Sequence, residues 1–128
     1  MSFVTDKALI TTVLNEMGYF ETAVNIDLVN NPPGNRKNLS YTLKPVGLRT
    51  EFNTAFSAID ETRAELVIRY IGMKPADFDK NFDSFNEALT AIKHLHSGYR
   101  DDPEYKLDSK NNFDSYGVVN LILGVNQC

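Results

Sequence analysis

A chain of 128 residues that is 42% apolar and 23% charged has the size and composition of one soluble domain with its own core. Its net charge of −4, with both signs interspersed, excludes a basic stripe for gripping a phosphate backbone. A single cysteine, Cys128, excludes an intrachain disulfide, and no stretch approaches the roughly 18 consecutive apolar residues that a membrane span needs.

The opening Met-Ser-Phe-Val-Thr-Asp lacks the basic region and apolar run of a signal peptide, so a protein made in the cytosol is expected. Thr5-Asp6 is a capping pair ahead of Ala8, Leu9, Ile10, Val13, Leu14 and Met17, and Gly18 closes the run. This predicts a first helix of about three turns, with Ile10, Val13, Leu14 and Met17 as its apolar stripe. Residues 23–29 then alternate, Val24, Ile26 and Leu28 against Asn25 and Asp27, which predicts a half-exposed strand. Asn30-Asn31-Pro32-Pro33-Gly34-Asn35 is turn chemistry, read as a solvated hairpin turn ahead of a recognition loop. Leu39, Tyr41 and Leu43 alternate with Ser40, Thr42 and Lys44, predicting a second strand antiparallel to the first.

Residues 45–60 keep a period of two through Val46, Leu48, Thr50, Phe52, Thr54 and Phe56. They extend the second strand past a bulge at Pro45-Val46-Gly47 and pair with the next strand as a long hairpin, or else turn helical near 54–59. Two fates are open to the apolar side chains: they join the core, or the segment projects as an assembly arm. Exposed apolar residues on an arm need a partner to cover them, so Leu48, Arg49, Phe52 and Phe56 are candidate subunit-interface residues.

Residues 62–73 place Ala64, Leu66, Ile68 and Tyr70 on one side and Arg63, Glu65, Val67, Arg69 and Ile71 on the other, a strand with one buried face. Gly72-Met73-Lys74-Pro75 stops it, and Pro75 suits the first turn of a helix. Phe78, Phe82, Phe85, Leu89, Ile92 and Leu95 form one helical stripe, with Asp79, Asn81, Asp83, Glu87 and Lys93 mostly off it and Gly98 as C-cap. Such a stripe is the ordinary signature of a helix lying on a sheet rather than a cofactor slot. Residues 97–115 are polar and read as an irregular loop. Residues 116–125 are nearly all apolar, with Val119, Leu121, Leu123 and Val125 on one face and Val118 and Ile122 on the other. That predicts a strand covered on both sides, or on one side and by a neighbouring chain, so Val118 and Ile122 join the candidate interface. The fold class is α+β, an antiparallel or mixed sheet of about four to five strands with two helices packed on it, in one domain over residues 1–128.

No catalytic, metal or cofactor set is assigned. His94-Leu95-His96 points its rings in different directions on a helix, whereas a helical metal site wants a spacing of four. Asp101-Asp102-Pro103-Glu104 lacks the order of a calcium loop and reads as an exposed acidic turn. Gly-rich phosphate loops and nucleophile elbows are absent, and Cys128 has no base held beside it. A non-enzymatic protein is expected.

The opening helix at 9–17, the strand at 38–44 with its extension, Arg63-Ala-Glu-Leu-Val-Ile-Arg-Tyr70 leading into a Pro-initiated helix, and the closing strand at 118–125 form a layout. That layout resembles the tail terminator (tail completion) proteins of long-tailed bacteriophages over nearly the whole chain. The resemblance implies a small virion subunit, assembled in the host cytoplasm, that forms a ring, typically six-fold, on the tail tube. Its implied partners are further copies of itself, the tail-tube protein and a head-completion or neck protein, with DNA only as passing cargo in the bore and no membrane. Sheet edges and the long hairpin are the parts it implies at subunit contacts. A monomeric or dimeric α+β binding or regulatory module is the alternative expectation.

Overall fold

A computed structural model describes residues 3–32, 38–54, 57–95 and 103–127, by backbone alone at 49–54, 57–61, 94–95 and 124–127. The elements in chain order are α1 (Phe3–Glu16), β1 (Phe20–Glu21), β2 (Ser40–Thr54), β3 (Ser57–Tyr70), α2 (Pro75–Leu95), β4 (Glu104–Leu107) and β5 (Ser115–Gln127). The strands form one sheet in the order β1-β2-β3-β5-β4, parallel at β1–β2 and antiparallel elsewhere. The protein is therefore α+β, with two helices and a mixed five-stranded sheet.

Period-two alternation sends one row of side chains from each long strand under the helices. Tyr41 and Leu43 of β2, Ala64, Leu66, Ile68 and Tyr70 of β3, and Val119, Leu121 and Leu123 of β5 form the sheet side of the core. Ile10 and Leu14 of α1 and Phe85, Ala88, Leu89 and Ile92 of α2 close over them at helical spacing. Gly117 lies beneath the Phe85 ring, where a Cβ would collide with it. Local signals set the ends of the helices. Gly18 takes φ +93° after α1, and Tyr19 N–H donates to the Leu14 carbonyl at 2.9 Å. At the start of α2 the Asp77 carboxylate accepts the Met73 and Lys74 N–H groups at 2.8 and 3.2 Å. The Met73 bond first, and then the Lys74 bond, hold its pKa below the usual range.

Four expectations are corrected. Residues 23–29 are turns, not a strand. Asp27 Oδ1 accepts the Val29 and Asn30 N–H groups at 3.0 and 2.9 Å, so its side chain competes with any ladder. The strand there is instead Phe20–Glu21, and it pairs with β2 in parallel. Within 97–115, expected to be irregular, β4 forms and pairs with β5. Phe82, expected in the core stripe, is 49% exposed, while Asn81, expected off the stripe, is buried and donates to the Ile71 carbonyl at 3.3 Å. Thr5 and Asp6 lie inside the first turn of α1 rather than ahead of it. The Gly98 cap and the Pro33-Gly34-Asn35 turn fall outside the described residues.

The long hairpin forms as a ladder from Ser40↔Arg69 to Thr54↔Ser57, with a register shift between Pro45 and Gly47 where the bulge was expected. β5 follows β3 from Tyr70↔Ser115 to Ile59↔Gln127. β1 meets only Ser40 and Tyr41, and β4 meets only Ser115 to Val118. The sheet is thus five strands wide at the Tyr70 end, and among the described residues three wide at the hairpin end.

Candidate functional site

The narrow end of the sheet carries Leu48, the most exposed large apolar side chain among the described residues. Leu48, Thr62 and Leu123 form one cross-strand row, Leu48 opposite Thr62 and Thr62 opposite Leu123. Leu123 is 1% exposed and Leu48 is 84% exposed, so the helix layer covers the β5 side of this row and stops short of β2. Val46, in the bulge, is half exposed. Arg49 and Phe52 stand in the β2 ladder opposite Glu61 and Ala58; their side chains, and the whole of Phe56, lie outside the described residues. Of the other candidates, Ile122 is buried and Val118 half-buried within the chain itself.

Val118 lies on the sheet face opposite the helices. There the segment after β1 folds over the strands: Thr22 donates its N–H and its hydroxyl to the Tyr41 carbonyl at 2.8 and 2.9 Å, and Leu28 is buried. A cleft of about 350 Å³ remains between that segment and Thr42, Lys44, Glu65, Val67 and Val118.

Sequence reasoning missed the buried ion cluster at the wide end. Arg69 is fully buried; it donates to the Leu28 carbonyl at 2.8 Å, to Asp108 Oδ2 at 2.7 Å and to Asp114 Oδ2 at 3.0 Å. Asp114 Oδ1 in turn accepts Gly72 N–H at 3.0 Å. Burial pushes the Asp108 carboxyl up. The Arg69 bond, followed by the Asn111 and Lys110 donors, outweighs burial and leaves the pKa below the usual carboxylate range. One guanidinium therefore ties together the segment after β1, the β4–β5 turn and the end of β3. The sequence signal was an Arg on a strand's polar side with acidic residues flanking a distant turn, a pattern that an exposed charge pair would also give.

A second set of polar bonds joins α2 to the sheet. Tyr19 donates to the Ser84 carbonyl at 3.0 Å, so in the 2.9 Å contact between the hydroxyls of Tyr19 and Tyr70 the proton comes from Tyr70. Tyr105 donates to the Phe78 carbonyl at 2.6 Å and accepts from Ser115 Oγ at 2.7 Å by the same counting. Burial pushes the phenols of Tyr19, Tyr70 and Tyr105 up, and holds them neutral for this role. The Tyr105 ring packs against Phe78, Phe82 and Phe85 at centroid distances of 4.8, 5.3 and 6.0 Å. With Leu89 and Pro103 they line an open apolar groove of about 440 Å³.

Among the described residues no three His, Cys, Asp or Glu side chains come together in a way that holds a metal ion. No helix among them is long and apolar enough to cross a membrane. The His94 and His96 side chains, Asp101 and Asp102 lie outside the described residues. A scan against models of protein families found no match, and a search of curated proteins found no significant one.

Proposed function

We propose that this chain is a structural subunit of a tailed-phage virion, forming a ring that terminates the tail tube and joins it to the head or neck. The observation that carries the reading is the narrow end of the sheet, where the β2–β3 hairpin bears Leu48 at 84% exposure in a row whose other end is core. An apolar side chain in that position is better covered by a second chain than by water. Burying one Leu contributes about 1.5–3 kcal/mol, which alone does not offset the cost of association. The ring therefore closes on the tail tube, where all contacts form together. The net charge of −4 suits a bore through which DNA slides without sticking. The chain's partners are then its own copies, the tail-tube protein and a head-completion or neck protein, and it works in the virion without catalysis.

The test is native mass measurement and electron microscopy of the purified protein, alone and with tail tubes of the phage that encodes it. Rings seated on tube ends are expected. A monomer that ignores the tubes refutes the proposal, and would favour the second reading, a monomeric or dimeric binding module. What supports that reading is the open aromatic groove beside α2.

A further inference from the structure

The two margins of the sheet are finished very differently along their lengths. At the wide end, β4 is a short edge strand with exposed Glu104 and Lys106, and Pro103 just before it has no N–H to extend the ladder. Charges, a proline and shortness are the devices that keep an edge from pairing with another chain. β1 is shorter still. Past these caps the long strands run on. Among the described residues no strand pairs with the outer edge of β2 at 47–54 or of β5 at 119–127. These two edges are less protected: residues 119–127 contain no charged residue and no proline, and residues 47–54 carry Arg49 and Glu51 but no proline and are longer than β4.

The two edges left unpaired among the described residues also match one another. Both occupy the same level of the sheet, since Leu48 aligns through Thr62 with Leu123, and Thr50 through Asp60 with Asn126. Both strands run antiparallel to β3, and hence in the same direction.

We infer that the 47–54 edge of β2 in one copy pairs in parallel with the 119–127 edge of β5 in the next, so that the sheets join edge to edge. The inference rests on the ring reading for its partner, a second copy of this chain. Because the two edges differ, the contact is heterologous: each copy offers one edge to either side, so the series does not stop at a dimer, and it forms a ring where the rotation between neighbours closes. The pairing also accounts for Leu48. It brings that side chain beside the neighbour's Leu123 row, which the neighbour's helix layer already covers.

Adjacent strands lie about 4.8 Å apart, within reach of a disulfide. In a Cys128→Ser background, Thr50→Cys and Asn126→Cys proteins are mixed on tail tubes and oxidised. The mixture is expected to give at least tenfold more linked dimer than either variant alone, and the double variant a ladder of multimers. Glu51→Cys with Gln127→Cys, one level further along, repeats the test should the first pair fail to fold. Three results overturn the inference: links in Thr50→Cys alone, which mean β2 against β2; links between Lys44→Cys and Asn126→Cys, which mean antiparallel edges; and intact rings by microscopy without the mixed link. That last result leaves the ring reading standing, whereas monomers on the tubes with no link sink both.

Discussion

Replacing Arg69 by Met tests whether the wide end of the sheet is held by one buried cation. Met keeps the length of the stem and removes the three bonds, to the Leu28 carbonyl, Asp108 and Asp114. The carboxylates left behind are poorly placed to recruit water, with side chains 10% and 1% exposed. Breaking a buried pair from one side costs about 3–5 kcal/mol, because an uncompensated charge stays inside. For a domain of this size that is on the order of 10–20 °C in melting temperature. The assay is urea unfolding followed by circular dichroism, with thermal melts alongside. Two controls separate charge from packing. Asp108→Asn is expected to cost less, about 1–2 kcal/mol, since that side chain is nearest to water. Adding Asp108→Asn and Asp114→Asn to Arg69→Met should recover part of the loss, because no buried charge then remains in this cluster. An Arg69→Met protein within about 1 kcal/mol of the parent refutes the reasoning.

Phe85→Ala, which empties a buried position above Gly117, is expected to cost about 3–5 kcal/mol, and Phe82→Ala, half exposed, about 1 kcal/mol or less; unfolding curves of the two variants give the ranking. Acid titration follows from Asp108: its folded pKa is lowered, so its contribution is complete above the ordinary Asp range near pH ~4 and is lost as pH falls through the folded value. Melts from pH 6 down to about pH 2 should therefore show a steeper fall for the parent than for Asp108→Asn. Leu48→Asp is expected to leave the melting temperature within about 2 °C of the parent, since the side chain is 84% exposed, while blocking ring formation on tail tubes as seen by electron microscopy. Phe52→Asp should likewise leave the monomer folded and block the joining of tails to heads in a complementation assay.

The parts of the fold legible in the sequence were those whose pattern has one physical meaning. Ala64, Leu66, Ile68 and Tyr70 alternate because every second residue of β3 faces the helices, and all four are buried. Pro45 and Gly47 flagged the bulge because neither suits the middle of a regular ladder. Residues 23–29 failed because alternation reports burial on one side, not the backbone that delivers it. Leu28 is buried, but by a loop laid across the sheet, and the decisive competitor was Asp27 bonding its own neighbours. Phe82 failed for a related reason. A helix stripe this wide exceeds what one sheet face covers, and the periodicity does not say which ring lies at the margin. β4 was hidden because four residues with alternating charge look like loop until their partner is known. Of the candidate interface, Leu48 could be read either as core or as exposed on an arm, because alternation does not say how far the helices reach; it is 84% exposed. The open edges were not legible, since an edge is a property of strand order.

If the chain forms the proposed ring, strand order also separates stability from assembly along one molecule. The Arg69 cluster, the Tyr19–Tyr70 and Tyr105–Ser115 bonds and both short edge strands lie at the wide end. Leu48 and the edges of β2 and β5 that no described strand pairs with lie at the other end, joined to the first by β3, which has a partner strand on both sides. A substitution at the wide end should therefore lower stability and reduce assembly only in proportion to the folded fraction lost. One at the narrow end should stop assembly at constant stability. The two classes behave alike in a complementation assay and differently in a melt, so the two measurements on one panel decide the matter. If Leu48→Asp and Arg69→Met both lose ring formation, and only Arg69→Met melts early, the narrow end is a contact surface. If both melt early, Leu48 belongs to the fold and the narrow end has no separate role.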